Sequence, residues 1–146
     1  MSVSAPSIDP RTASVLIVED SSHYSLVLER LLSRGLGYKN ITTFSNTLDA
    51  YTMIKVNPDR FSILFIDYHF PSGDNGAELI AKLRDEGLLE GKIALVITSD
   101  PSLENAKAAT AAGALGLVAK PFDAHQLKVQ LEKAQRACFA DSQEYF

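Results

Sequence analysis

The sequence holds one cysteine among its 146 residues, Cys138. A single thiol excludes an internal disulfide framework and any cysteine-rich metal site. It fits a reducing compartment. No basic run occurs, and the net charge is -4 with a pI near 5.3. Binding to nucleic acid or to an anionic membrane therefore has no electrostatic support. No apolar stretch approaches the roughly 18 residues that a membrane span needs. The opening MSVSAPSIDPRTAS lacks the apolar core of a signal peptide and reads as a flexible leader over 1–13. The closing residues 138–146 read as a tail, either of a stand-alone domain or of a piece of a longer protein. No internal repeat or low-complexity tract stands out. With 46% hydrophobic and 22% charged residues, what remains is an ordinary globular domain over 14–137.

Five short apolar runs punctuate that domain: Val15-Leu16-Ile17-Val18, Ile41-Thr42-Thr43-Phe44, Ile63-Leu64-Phe65-Ile66, Ala94-Leu95-Val96-Ile97 and Ala114-Leu115-Gly116-Leu117-Val118. The first, third and fourth are continuous, not alternating. Strands buried on both faces of a parallel sheet read this way. The second and fifth are weaker and belong nearer the edges. Helical patterns fill the gaps. Residues 22 to 34 carry Leu28, Leu31 and Leu32, with Gly35 as a stop; 46 to 56 carry Leu48, Tyr51, Met53 and Ile54; 76 to 86 carry Leu79, Ile80 and Leu83. Residues 102 to 112 are alanine-rich and end at Gly113, and 123 to 138 place Leu127, Leu131 and Ala134 on one side. Ser102 and Asp123 are the expected N-caps. Five βα units in succession predict an α/β fold with a doubly wound parallel sheet. Ligands of such sheets lie outside the carboxyl ends of the strands.

Those ends are where the reactive side chains stand. Strand one ends in Glu19-Asp20, strand three in Asp67, strand four in Thr98-Ser99 and strand five in Lys120-Pro121. Three carboxylates gathered there would repel. At about 5 Å and an effective dielectric near 20, each pair costs roughly 3 kcal/mol. Either one carboxyl stays protonated or a cation joins them. Mg²⁺ suits a few carboxylates with waters and a phosphoryl group, and Lys120 adds a fixed positive charge. A carboxylate is also a nucleophile toward phosphorus. Mg²⁺ and Lys120 would then neutralise phosphoryl oxygens while the Thr98 hydroxyl bonds a third.

These residues resemble the receiver domain of bacterial two-component response regulators, of the chemotaxis-regulator kind. The motifs VLIVEDSS, LFIDYHFP, VITSD and GLVAKPF carry the resemblance, in order, over about 14 to 137. It implies a flavodoxin-like (βα)5 fold with strand order 2-1-3-4-5, a cytoplasmic location, and a phosphorylation-switched signalling domain, not a turnover enzyme, that assists its own phosphoryl transfer and dephosphorylation. By the same resemblance Asp67 is the phospho-acceptor, and Glu19 and Asp20 organise Mg²⁺ (Mn²⁺ being the alternative) together with Asp67 and the backbone carbonyl of His69. Thr98 is the switch hydroxyl, and Lys120, before a proline that is often cis in the family, binds phosphate. The donor would be a phosphohistidine on a sensor histidine kinase or phosphotransfer protein. The output face would be helix four, strand five and helix five, which also offers a homodimer contact. His69, Ser99, Asp100 and Leu117 are positions expected to tune the response.

Three departures from the family pattern stand out. Leu117 occupies the place, three residues before the lysine, where an aromatic is frequent, so the usual aromatic swing is lost in that form. Glu19 replaces the commoner aspartate. The loop SGDNG is one residue longer than the commonest form. Other readings are weaker. His69, His23 and His125 lack zinc-site spacing. A phosphatase of the haloacid-dehalogenase type would carry Asp-x-Asp after its first strand, whereas Asp67-Tyr68-His69 follows the third. A flavin mononucleotide site would have its phosphate repelled by Glu19-Asp20. An unphosphorylated docking module of the same fold is the remaining alternative.

Overall fold

The structure is a computed structural model, and it describes residues 8–139. Residues 1–7 of the expected leader and 140–146 of the expected tail lie outside the described residues. Five strands, β1 (Ser14–Val18), β2 (Asn40–Phe44), β3 (Ile63–Asp67), β4 (Ile93–Thr98) and β5 (Gly116–Ala119), form one parallel sheet in the order β2-β1-β3-β4-β5. Five helices connect and follow them: α1 (Ser22–Arg30), α2 (Thr47–Val56), α3 (Gly76–Asp85), α4 (Leu103–Ala112) and α5 (Ala124–Phe139). Fold class and strand order match the sequence-based expectation.

Side chains alternate across a strand, and this divides the core in two. Leu16, Val18, Leu64, Ile66, Ala94 and Val96 face α2, α3 and α4, represented by Ile54, Ile80, Leu83 and Ala109. Val15, Ile17, Ile63, Phe65, Leu95 and Ile97 face α1, the turn that follows it and α5, represented by Leu28, Leu32, Leu127 and Leu131. The three central strands are buried on both faces, which is why their sequences show no alternation. Burying each large apolar side chain stabilises the fold by about 1.5–3 kcal/mol.

Each helix starts on a side-chain cap. Ser21, Asn46, Asn75, Ser102 and Asp123 accept from the backbone N–H three residues on. Gly113, at φ 124, closes α4 in a conformation that a side chain would resist.

Several expectations needed correction. The first helical pattern is not one regular helix: α1 ends at Arg30, and Leu31–Gly35 widen into a π-type turn. Leu48 lies 68% exposed, because α2 meets the sheet through Ala50 and Ile54 instead. Strand five begins at Gly116, two residues after the apolar run starts at Ala114. α5 ends at Phe139, one residue past the helical pattern expected over 123 to 138. Ile8 packs against the α1–α5 half of the core.

Candidate functional site

Strand register decides what meets at the rim. Val18 pairs with Ile66, so Glu19 and Asp67 leave neighbouring strands side by side. Both have the parity of the side chains that face α1 and α5. Lys120 follows Ala119, which pairs with Thr98, and its N–H donates to the Thr98 carbonyl at 2.8 Å. It shares the parity of Val118, again toward α1 and α5. Glu19, Asp67 and Lys120 therefore converge on one side of the sheet's carboxyl edge.

The contacts follow. Lys120 Nζ lies 3.0 Å from Glu19 Oε2 and 3.5 Å from Asp67 Oδ2. All three side chains are at most 8% exposed. Glu19 Oε1 accepts from the Ser21 N–H at 3.1 Å, which ties the acid to the start of α1. Asp20 is exposed at the mouth of the pocket. One carboxylate oxygen each from Glu19, Asp20 and Asp67 lies within 4.8 Å of the others. Burial pushes the Asp67 carboxyl above its ordinary range, against the pull of Lys120. Burial likewise raises Glu19, against Lys120 and with the Asp67 charge adding to the rise.

These residues fit a hard divalent cation. Glu19 Oε2 is buried and has no hydrogen-bond partner among the described residues; the Lys120 ammonium is near it but out of alignment. Buried carboxylate charge is costly unless it is balanced, and Lys120 balances only one of the three acids. One ammonium facing three carboxylates leaves a double negative charge for such an ion to balance.

The other expected residues are placed differently. Thr98 is fully buried and has the opposite parity to Asp67. Its Oγ1 accepts from the Asp100 N–H at 3.0 Å and donates to the Asp100 carbonyl at 3.3 Å. Asp100 is held in turn by Asn105 of α4, whose Nδ2 donates to the Asp100 carbonyl at 2.9 Å. The Thr98 hydroxyl is thus committed to its own loop. Ser99 is exposed. His69 is exposed, with its ring edge-on to Tyr68 at 4.7 Å. Hydrogen bonds from Gly76 N–H to Tyr68 and from Phe70 N–H to Asp74 pin the backbone on either side of His69, leaving its own carbonyl outside that bridge. Leu117 is half-buried against the α2–α4 half of the core. The Lys120–Pro121 peptide is cis.

Two residues of the site escaped sequence reasoning. Tyr24 places its ring 4.2 Å from Lys120 Nζ. Its signal was weak: an aromatic in the turn that Ser21 caps. Gly76 lets the start of α3 pass against the Asp67 backbone, since a Cβ there would stand 2.3 Å from the Asp67 carbonyl oxygen. A glycine at the first position of a predicted helix was the available hint.

Residues 15–132 match the response regulator receiver domain family, and the chain belongs to that family. Chemotaxis protein CheY-3 of Vibrio cholerae is 32% identical over 123 residues, covering 84% of this chain and 92% of that protein. Among solved structures, chemotaxis protein CheY4 of Vibrio cholerae superposes with a TM-score of 0.74 at 25% identity, over 85% of this chain and 99% of that one. A response regulator from Burkholderia pseudomallei, solved with a phosphorylated aspartic acid, a calcium ion and citrate, superposes with a TM-score of 0.72 at 26% identity, over 92% of this chain and 75% of that one. The domain is therefore a signalling domain of two-component systems. No helix among the described residues is long and apolar enough to cross a membrane.

Proposed function

We propose that Asp67 accepts a phosphoryl group from a phosphohistidine on a sensor histidine kinase or phosphotransfer protein, in a Mg²⁺-dependent reaction. One observation carries this reading. Asp67 stands at the carboxyl end of β3, 3.5 Å from a buried ammonium and grouped with two further carboxylates. The similar Burkholderia pseudomallei regulator, with its phosphorylated aspartic acid and calcium ion, supports it.

Glu19, Asp20, Asp67 and the His69 backbone carbonyl would hold the ion. When bound, Mg²⁺ supplies charge neutralisation for phosphoryl oxygens and permits the carboxylates to be ionised together. Asp67 Oδ attacks phosphorus in line with the bond to the donor nitrogen. The O–P bond forms as the P–N bond breaks, and the imidazole leaves with the electron pair and takes a proton from solvent. Lys120 turns its ammonium from the Asp67 carboxylate to a phosphoryl oxygen of the same group. Thr98 donates to that group only by giving up the bond it donates to the Asp100 carbonyl, so phosphorylation competes directly with the β4–α4 loop. Hydrolysis of the acyl phosphate later restores the carboxylate, at a rate tuned by the exposed side chains of His69 and Asp100 on the same rim.

The changing surface is the face of α4, β5 and α5. A groove of about 320 Å³ there runs between Leu117, Val129 and Gln130 and provides the partner contact, or a contact between two copies of the chain. Leu117 lacks an aromatic's bulk, so the loop of Thr98, Asp100 and Asn105 conveys the change to α4.

Intact-protein mass spectrometry after incubation with acetyl phosphate or phosphoramidate tests this. One added phosphoryl group is expected with Mg²⁺, and none with EDTA or in Asp67→Ala. An unchanged mass with every donor would instead favour an unphosphorylated docking module.

A further inference from the structure

Lys120 has a third neighbour besides Glu19 and Asp67. The Tyr24 ring centroid lies 4.2 Å from its Nζ, close enough for the ring's negative face to attract the ammonium. That attraction strengthens where water is excluded, and the Lys120 side chain is only 7% exposed. The ring is itself held in place. Its backbone N–H donates to the Ser21 cap at 3.3 Å. Phe122 lies tilted against it at 6.3 Å, and His23 meets it edge-on at 5.2 Å.

The chemistry of the pocket gives this neighbour a purpose. A lysine stem is flexible, and its ammonium is a point charge with no geometric preference of its own. A fourth carboxylate could fix it, but would add to the repulsion among the three already present and repel an incoming phosphoryl group. An aromatic face attracts the ammonium while carrying no formal charge.

We propose that Tyr24 is a positioning residue for Lys120: its π face holds the ammonium between Glu19 and Asp67, a short turn from where the phosphoryl oxygens develop. Tyr24 makes and breaks no bond in the transfer. The inference rests on reading Lys120 as the phosphoryl-binding cation.

Two measurements test it. In the NMR spectrum of the wild-type protein without phosphoryl donor, the Lys120 Cε protons should lie upfield of ordinary lysine positions, shifted by the ring. The shift should persist in Tyr24→Phe and vanish in Tyr24→Leu. With limiting acetyl phosphate and Mg²⁺, Tyr24→Phe should be phosphorylated at close to the wild-type rate and Tyr24→Leu about tenfold more slowly. Unshifted Lys120 protons in the wild type would overturn the proposal. So would a Tyr24→Leu protein reacting at the wild-type rate, or a Tyr24→Phe protein as slow as Tyr24→Leu. Should Tyr24→Leu fail to fold, the wild-type and Tyr24→Phe spectra and rates still decide. Upfield Lys120 protons in a wild-type protein that takes up no phosphoryl group would leave the clamp standing and overturn the acceptor reading of Asp67 instead.

Discussion

Replacing Gly76 by alanine should damage both the fold and the site, although alanine is the better helix former. Gly76 opens α3, and its N–H donates to the Tyr68 carbonyl at 2.8 Å. A Cβ there would lie 2.3 Å from the Asp67 carbonyl oxygen, 2.9 Å from Ile66 Cγ2 and 3.1 Å from the Asp67 carbonyl carbon. Favourable carbon contacts need about 3.5–4.0 Å. The two shortest-range backbone neighbours belong to the central strand of the sheet, so they cannot swing aside as a flexible side chain could. Helix propensity favours alanine by at most about 1 kcal/mol. Overpacking costs about 1–3 kcal/mol, and moving α3 away strains or breaks the bond to Tyr68, worth about 1 kcal/mol more. The expected net loss is about 1–3 kcal/mol, or a fall in Tm of about 3–12 °C. Because the clash pushes on the backbone of Asp67, the rate of phosphorylation by acetyl phosphate should fall by up to about 100-fold. Urea melts and timed mass spectra measure the two effects. A Gly76→Ala protein as stable as the wild type and phosphorylated as fast would refute the close approach of α3 to Asp67.

Lys120→Met should destabilise the protein by about 3 kcal/mol at neutral pH in urea melts, since it strands two buried carboxylates. That loss should shrink on acidification: burial raises the Asp67 and Glu19 carboxyls, so the folded state holds those protons more tightly than the unfolded one. Lys92 donates to the Pro58 carbonyl, and burial holds its ammonium below the ordinary lysine value of 10.5. The unfolded chain then binds that proton more tightly, so stability should rise as pH climbs from the lowered value toward 10.5, and Lys92→Met should flatten the rise in thermal melts. Asn105→Ala removes the bond that holds the Asp100 carbonyl at 2.9 Å. It should cost about 1 kcal/mol and quicken hydrogen exchange at the Asp100 amide; unchanged exchange would mean that α4 does not restrain the Thr98 loop.

Much of this molecule could be read from residue order. Continuous apolar runs at Leu16, Leu64 and Leu95 announced central parallel strands, because both faces of such strands are covered. The rule that sites lie at the carboxyl edge then singled out Glu19, Asp20, Asp67 and Lys120, and the structure brings those four together. Thr98 shows the limit of that rule. It is on the right edge, but alternation turns it to the opposite side, and the Asp100 N–H claims its hydroxyl. Leu48 had helical spacing yet faces water, since periodicity names a helix face without saying how much of that face the sheet can cover. The π-type turn at Leu31–Gly35 left no periodic mark. Tyr24 gained meaning only through the position of Lys120, nearly a hundred residues away in the chain and set by strand register.

The most direct test is to locate the phosphoryl group. Peptide mapping of the wild-type protein, phosphorylated with phosphoramidate and Mg²⁺, should find it on Asp67 alone. A phosphoryl group on His69, Glu19 or Asp20, with Asp67 unmodified, would contradict the account.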